Sequence, residues 1–178
     1  MFATLYLPNF YLQAALRHQT ISAETPVGLI DGSEKKATII QLNAAADAVG
    51  VRLGMTPSQG LARSLQLVIK VRSEAQEKAM QEILLQSGFS LSPYVEATGP
   101  GLCTVQFTDL RDLERKVSDA VLRLRECEIA AQAGISRTPD SSFLAAHLGR
   151  PVLQIDNHEQ FLAALPIEIL ALSPVCSL

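Results

Sequence analysis

What most limits the fold of this chain is the order in which its hydrophobic pattern changes period after Ser73. Ser73 and Gln76 form a capping-box pattern before a helix that carries Ala79, Met80, Ile83 and Leu84 on one face. Residues 94–97 and 103–107 read as strands flanking a Thr-Gly-Pro-Gly turn. Leu110, Leu113, Val117, Val121 and Leu124 then keep the three-to-four spacing of a long amphipathic helix. Residues 129–135 are small and apolar, as a buried strand is. The opening residues 2–7 read as one more strand, stopped by Pro8. Placed in front, that strand gives the order strand, helix, two strands, helix, strand.

Between the opening strand and Ser73 lies an insertion with its own elements. Residues 10–17 read as a helix, and residues 26–30 and 37–42 as a hairpin around Asp31, Gly32 and Ser33. Asn43 can cap an alanine-rich helix over 44–49 that Gly50 ends. Thr56-Pro57 opens another helix with proline at its first position, and residues 67–71 read as a buried strand. After the last strand of the main pattern, residues 139–148 read as a helix and 152–155 as extended. Residues 159–165 and 167–172 read as short helices. The expected class is α+β: a ferredoxin-like mixed sheet with helices on one face, interrupted by a small inserted subdomain.

The totals fit such a body: 178 residues, 48% hydrophobic and 19% charged. No apolar run approaches the roughly 18 to 20 residues that span a bilayer. The first residues lack a basic region followed by an apolar stretch, so they do not read as a signal peptide. A soluble, cytoplasmic protein is the expectation. The net charge of −3 does not advertise the basic surface with which proteins grip DNA phosphates. The charged cluster over 111–126 alternates in sign and reads as a solvated helix face.

A search for self-contained chemistry returns little. Cys103, Cys127 and Cys176 are widely spaced and make neither a disulfide framework nor a zinc pattern. His18, His147 and His158 show no metal-binding spacing. Thr138, Ser141 and Ser142 have no His-Asp set nearby in sequence to activate a nucleophile. There is no phosphate loop, and no paired carboxylates stand at strand ends.

Longer segments say more. Residues 95–108, VEATGPGLCTVQFT, resemble without a gap the segment V-E-P-x-S-x-D-E-x-Y-L-D-x-T of Y-family (translesion) DNA polymerases, with Ser92-Pro93 as the usual lead-in. Residues 50–57, GVRLGMTP, are similar to that family's G-V-R/K-x-G-M. Residues 5–14, with Phe10-Tyr11, resemble its opening D-x-D-x-F-F/Y. Gly134-Ile135-Ser136 and the stretch from Ile155-Asp156 to Leu170 resemble a later strand end and the lead into the thumb. The resemblance implies a palm over 1–9 and 72–156, fingers over 10–71 and the beginning of a thumb over 157–178.

Carried over residue by residue, the resemblance implies loss of the chemistry. The family's first metal-binding Asp falls on Tyr6, and its Asp-Glu pair on Gly101 and Leu102. The Tyr and Arg that grip the triphosphate fall on Ala44 and Asp47, and a helix Lys on Phe143. Phe10-Tyr11 match the aromatic pair of the nucleotide floor, for which core packing is the plainer role. The pattern resembles the ImuB type, which implies a catalytically inactive adaptor in DNA repair and SOS mutagenesis, with no metal and no cofactor. Its implied partners are a sliding clamp, a RecA-like accessory protein and an error-prone replicative-type polymerase. The segments that recruit them are expected after Leu178, and the location is the bacterial nucleoid. DNA binding by this portion is expected to be weak. Two other readings stay open: an active error-prone polymerase with atypical metal ligands, for which Asp31 and Asp47 are the nearest acids, and an unrelated ferredoxin-like regulatory module.

Overall fold

The computed structural model describes residues 1–32 and 37–165. The chain divides into two compact units, one made of Met1–Pro8 with the described residues from Gln81 on, the other of Asn9–Met80. The division falls inside a helix.

The first unit holds β1 (Phe2–Tyr6), β5 (Tyr94–Gly99), β6 (Leu102–Gln106), β7 (Gln132–Ser136) and β8 (Val152–Gln154) in one sheet ordered β5-β6-β1-β7-β8. β1 is central because it pairs antiparallel with both β6 and β7. β8 adds to β7 in parallel at one edge. Alternation assigns the faces. Ala3 and Leu5 are fully buried on one face, beside Val105, Cys103, Ile135 and Ala133 of the neighbouring strands. α4 (Glu74–Phe89) covers this face, with Gly88 against Val95, Cys103 and Val105. α5 (Leu113–Glu126) buries Leu113, Val117, Val121 and Leu124 and packs on β7 and β8.

The other face carries the rows Thr104–Thr4–Gly134 and Leu102–Tyr6–Gln132. α6 (Pro139–Leu148) lies on it, a layer additional to the helices of the ferredoxin-like core. Thr4 is 0% exposed, a costly place for a hydroxyl unless it is bonded. Its Oγ1 lies 2.8 Å from Ser142 Oγ and 3.1 Å from Thr104 Oγ1, and Thr104 lies 3.3 Å from Thr98. Ser142 spends its single proton on the carbonyl of Pro139 at 2.7 Å. The chain is therefore directional: Thr98 donates to Thr104, Thr104 to Thr4 and Thr4 to Ser142.

The Oγ of Ser136 is buried without a partner. A desolvated, unbonded hydroxyl costs about 1–3 kcal/mol. Ser136→Ala is expected to raise stability by up to about 1 kcal/mol in denaturant unfolding; a lower midpoint would show that the hydroxyl has a use.

The second unit contains α1 (Phe10–Leu16), β2 (Val27–Ile30), β3 (Ile39–Leu42), α2 (Ala44–Ala48), α3 (Pro57–Arg63), β4 (Val68–Val71) and the start of α4. Its sheet is β3-β2-β4, with β2 antiparallel to β3 and parallel to β4. Asn43 caps α2 as expected and does more. Its Oδ1 accepts from Ala46 N at 2.9 Å and Val27 N at 3.0 Å, while its Nδ2 donates to Thr25 O. Thr56 and Gln59 close a full capping box on α3.

Some expected boundaries move. α5 starts at Leu113, because Asp109 accepts from Arg111 N and Asp112 sits in the left-handed region at φ 53, which keeps Leu110 outside the helix and exposed. The strand expected from Ile129 starts at Gln132, because Glu128 at φ 60 and the Ile129 N to Leu124 O bond close α5 first. β4 is a half-buried edge strand instead of a buried one. α7 spans His158–Ala163, and the helix expected over 167–172 lies outside the described residues.

Candidate functional site

Of the residues singled out in sequence, Tyr6, Gly101, Leu102 and Phe143 gather at one end of the first unit's sheet. Tyr6 ends β1 and is the Cα partner of Leu102 on β6. Gly101 sits in the turn just before, at φ 69, and its carbonyl accepts from Leu7 N at 2.8 Å. Gln81 of α4 clamps this turn: its Oε1 accepts from Gly101 N at 2.8 Å and its Nε2 donates to Leu102 O at 3.2 Å. The Leu102 side chain is buried.

α6 completes the site with residues from a different part of the sequence. The Tyr6 ring stacks on His147, with centroids 4.1 Å apart and planes at 27°. Phe143, one turn earlier on the same helix, packs against His147 at 4.4 Å. His147 Nδ1 lies 2.9 Å from the Phe143 carbonyl. A carbonyl cannot donate, so Nδ1 carries the hydrogen. Burial raises the Tyr6 phenol above its ordinary range, which keeps it neutral.

In the second unit, Ala44 and Asp47 share the exposed side of α2. Asp47 pairs with Arg52 at 2.7 Å beside an open depression of about 480 Å³ that Ile40, Gln41 and Leu42 also line. Asp31 pairs with Arg72 at 2.9 Å. Phe10 is buried, and Tyr11 lies under the Arg72 guanidinium at 4.0 Å.

Sequence reasoning passed over two histidines. His147 shows no ligand spacing; the signal available was its four-residue separation from Phe143, which puts both rings on one helix face. His158 Nδ1 lies 2.7 Å from Ser141 Oγ, a contact the sequence did not point to. Ser141 is itself buried in α6, so the bond ties the start of α7 to α6. Of the cysteines, Cys103 is buried and Cys127 exposed.

Burial pushes the Cys103 thiol up to about 12 from 9.0. An unfolded thiol ionises from about pH 9 upward while the folded one keeps its proton, so this group's stabilisation is complete below pH 9 and is lost between 9 and 12. Native protein is expected to alkylate at Cys127 and not at Cys103. Cys103→Ala should remove the part of the alkaline stability loss that belongs to this thiol, as read from unfolding curves on either side of pH 9.

The fold of this α+β body matches the palm and fingers region of Y-family DNA polymerases. The insertion ternary complex of Dbh DNA polymerase superposes with a TM-score of 0.80 at 13% identity, over 94% of this chain and 53% of that one. DinB from Sulfolobus solfataricus superposes with a TM-score of 0.78 at 14% identity, over 94% and 52%. A Y-family chimera of Dbh and Dpo4 gives 0.76 at 12%, over 94% and 53%. At such identities the likeness is one of fold, and the chain spans about half the length of these structures. Sequence comparison with curated proteins gives no significant match. The model of the impB/mucB/samB family matches residues 5–147, and the chain belongs to that family.

Polymerases of this fold imply a pair of divalent cations. Mg²⁺ demands oxygen ligands, chiefly carboxylates, in near-octahedral geometry. The sheet end offers a neutral phenol, a glycine and a buried leucine, so the residues present do not fit a Mg²⁺ pair. Among the described residues, no three His, Cys, Asp or Glu side chains gather as a metal site. No helix of the described residues is long and apolar enough to cross a membrane.

Proposed function

We propose that this chain is the polymerase-like body of a DNA-damage protein that serves translesion mutagenesis as an adaptor or scaffold and does not itself transfer nucleotides. The observation that carries this reading is the aromatic sheet end. On the sequence resemblance Tyr6, Gly101 and Leu102 fall where the family has its metal-binding carboxylates, and the Tyr6 ring is stacked on His147. Without carboxylates nothing neutralises the charge of a transferring phosphoryl group. The phosphate-gripping positions agree: Ala44 offers no donor, Asp47 is an acid held by Arg52, and Phe143 replaces a helix lysine. Asp31 and Asp47, the nearest acids for an atypical metal site, are each engaged by an arginine.

On this reading residues 1–9 and 72–156 are a palm, 10–71 fingers, and 157–178 the beginning of a thumb. The ImuB type is the nearest description. Its partners are a sliding clamp, a RecA-like accessory protein and an error-prone replicative-type polymerase, in the bacterial cytoplasm on the nucleoid. DNA contact by this portion is weak, given the net charge of −3. A primer-extension assay on the full-length protein with Mg²⁺ or Mn²⁺ tests the reading: no template-dependent extension is expected, and any such extension overturns it. A salt-dependent DNA titration of residues 1–178 should give weak binding at physiological ionic strength.

A further inference from the structure

We propose that His147, together with Phe143, is a fixed plug that closes the Tyr6–Leu102 end of the sheet to divalent cations whatever residues stand at positions 6, 101 and 102. The proposal rests on the functional reading above and adds to it that the site is shut by α6 and not merely stripped of ligands.

Three observations carry it. First, the His147 ring is held in place: its Nδ1–H is bonded to the Phe143 carbonyl, its one face meets Tyr6, and Phe143 packs beside it. The backbone bond and the Phe143 contact, neither of which involves Tyr6, leave the ring few rotamers. Second, α6 cannot lift to make room. Thr4 is bonded to Ser142 across the helix–sheet interface, and Gly134 brings the strand against the helix backbone. Third, the β5–β6 turn is set by neutral bonds. Gln81 satisfies Gly101 N and Leu102 O, and Leu7 N bonds Gly101 O. A hydrated Mg²⁺ needs several water molecules and a near-ideal octahedron, and on this proposal the His147 and Phe143 rings stand in that volume.

The test uses Mg²⁺ alone, followed by titration calorimetry. One variant restores the carboxylates, Tyr6→Asp with Gly101→Asp and Leu102→Glu. A second adds His147→Ala and Phe143→Ala. The proposal expects no saturable Mg²⁺ binding by the first variant, and binding about tenfold tighter or more by the second. Equal binding by both overturns it, and so does binding by neither. Gly101 stands at positive φ and Leu102 is buried, so these variants can fail to fold. A thermal-unfolding cycle of Phe143→Leu and His147→Ala then decides. Losses clearly smaller in the double variant than the sum of the singles support a locked stack, and additive losses overturn it. Primer extension by the natural protein would sink the functional reading while leaving the cycle's outcome untouched.

Discussion

Gly134→Ala is expected to destabilise the first unit by about 3 kcal/mol or more, the upper end of what overpacking costs. The reason is a backbone collision and not conformational freedom. A Cβ at position 134 would fall on Ala146 N and Ser142 O, and 2.6 Å from the Ala145 carbonyl carbon. All of these belong to the α6 backbone, so no side chain can swing aside. Gly134 is paired with Thr4 in the central strand, so β7 cannot retreat either. To admit the methyl, α6 must rise, which breaks the Thr4–Ser142 bond and loosens the Tyr6–His147 stack. Total stabilities of domains are about 5–15 kcal/mol, so the loss is a large fraction. Urea unfolding should show a lowered midpoint at similar slope. Gly50→Ala is the control: Gly50 has φ +83 but open space around it, so the cost is the modest one of a strained conformation, about 1 kcal/mol. Equal losses at the two positions would show that α6 is not seated as described.

The same glycine shows where reading the sequence stops. The motif Gly134-Ile135-Ser136 places a strand end before a helix, and both are there. That the helix lies directly on the glycine depends on which face of the sheet it chose, and local pattern carries no such information. Element order was legible because period is local: Ala3 and Leu5 alternate with Thr4, and Leu113, Val117, Val121 and Leu124 mark one stripe. Helix starts set by capping side chains, Asn43 and Thr56, were legible for the same reason. Starts set by backbone conformation were not, as Asp112 and Leu110 show. At the candidate site, Tyr6, Gly101 and Leu102 were singled out by motif resemblance, and the structure brings them together at one sheet end. His147 and His158 could not be singled out this way, since their partners Tyr6 and Ser141 reach them through tertiary packing.

In the second unit the largest expected effect is that of Arg72→Ala, a loss of about 2–3 kcal/mol, below the full cost of breaking a wholly buried pair. Arg72 Nε and Nη2 each donate to a Glu77 oxygen at 2.8 Å, a forked pair with side-chain exposures of 28% and 12%. Its guanidinium also covers the Tyr11 ring at 4.0 Å, and a third bond reaches Asp31. These contacts are not equal. Asp31 is exposed, so its pair is screened and contributes little. Removing the arginine leaves the Glu77 carboxylate mostly out of water and unpaired, and that is where most of the loss arises. Arg72→Lys keeps the charge but loses the fork and the flat stacking surface, so it should recover less than half of the stability. Asp31→Ala should cost only a few tenths of a kcal/mol. Pairing Arg72→Ala with Glu77→Gln should cost less than the two single losses together, because the second change removes the stranded charge that the first creates. All five variants, the single Glu77→Gln included, are read by denaturant unfolding. If Asp31→Ala cost as much as Glu77→Gln, exposure would not be what ranks these contacts, and the guanidinium would be held chiefly from the Asp31 side.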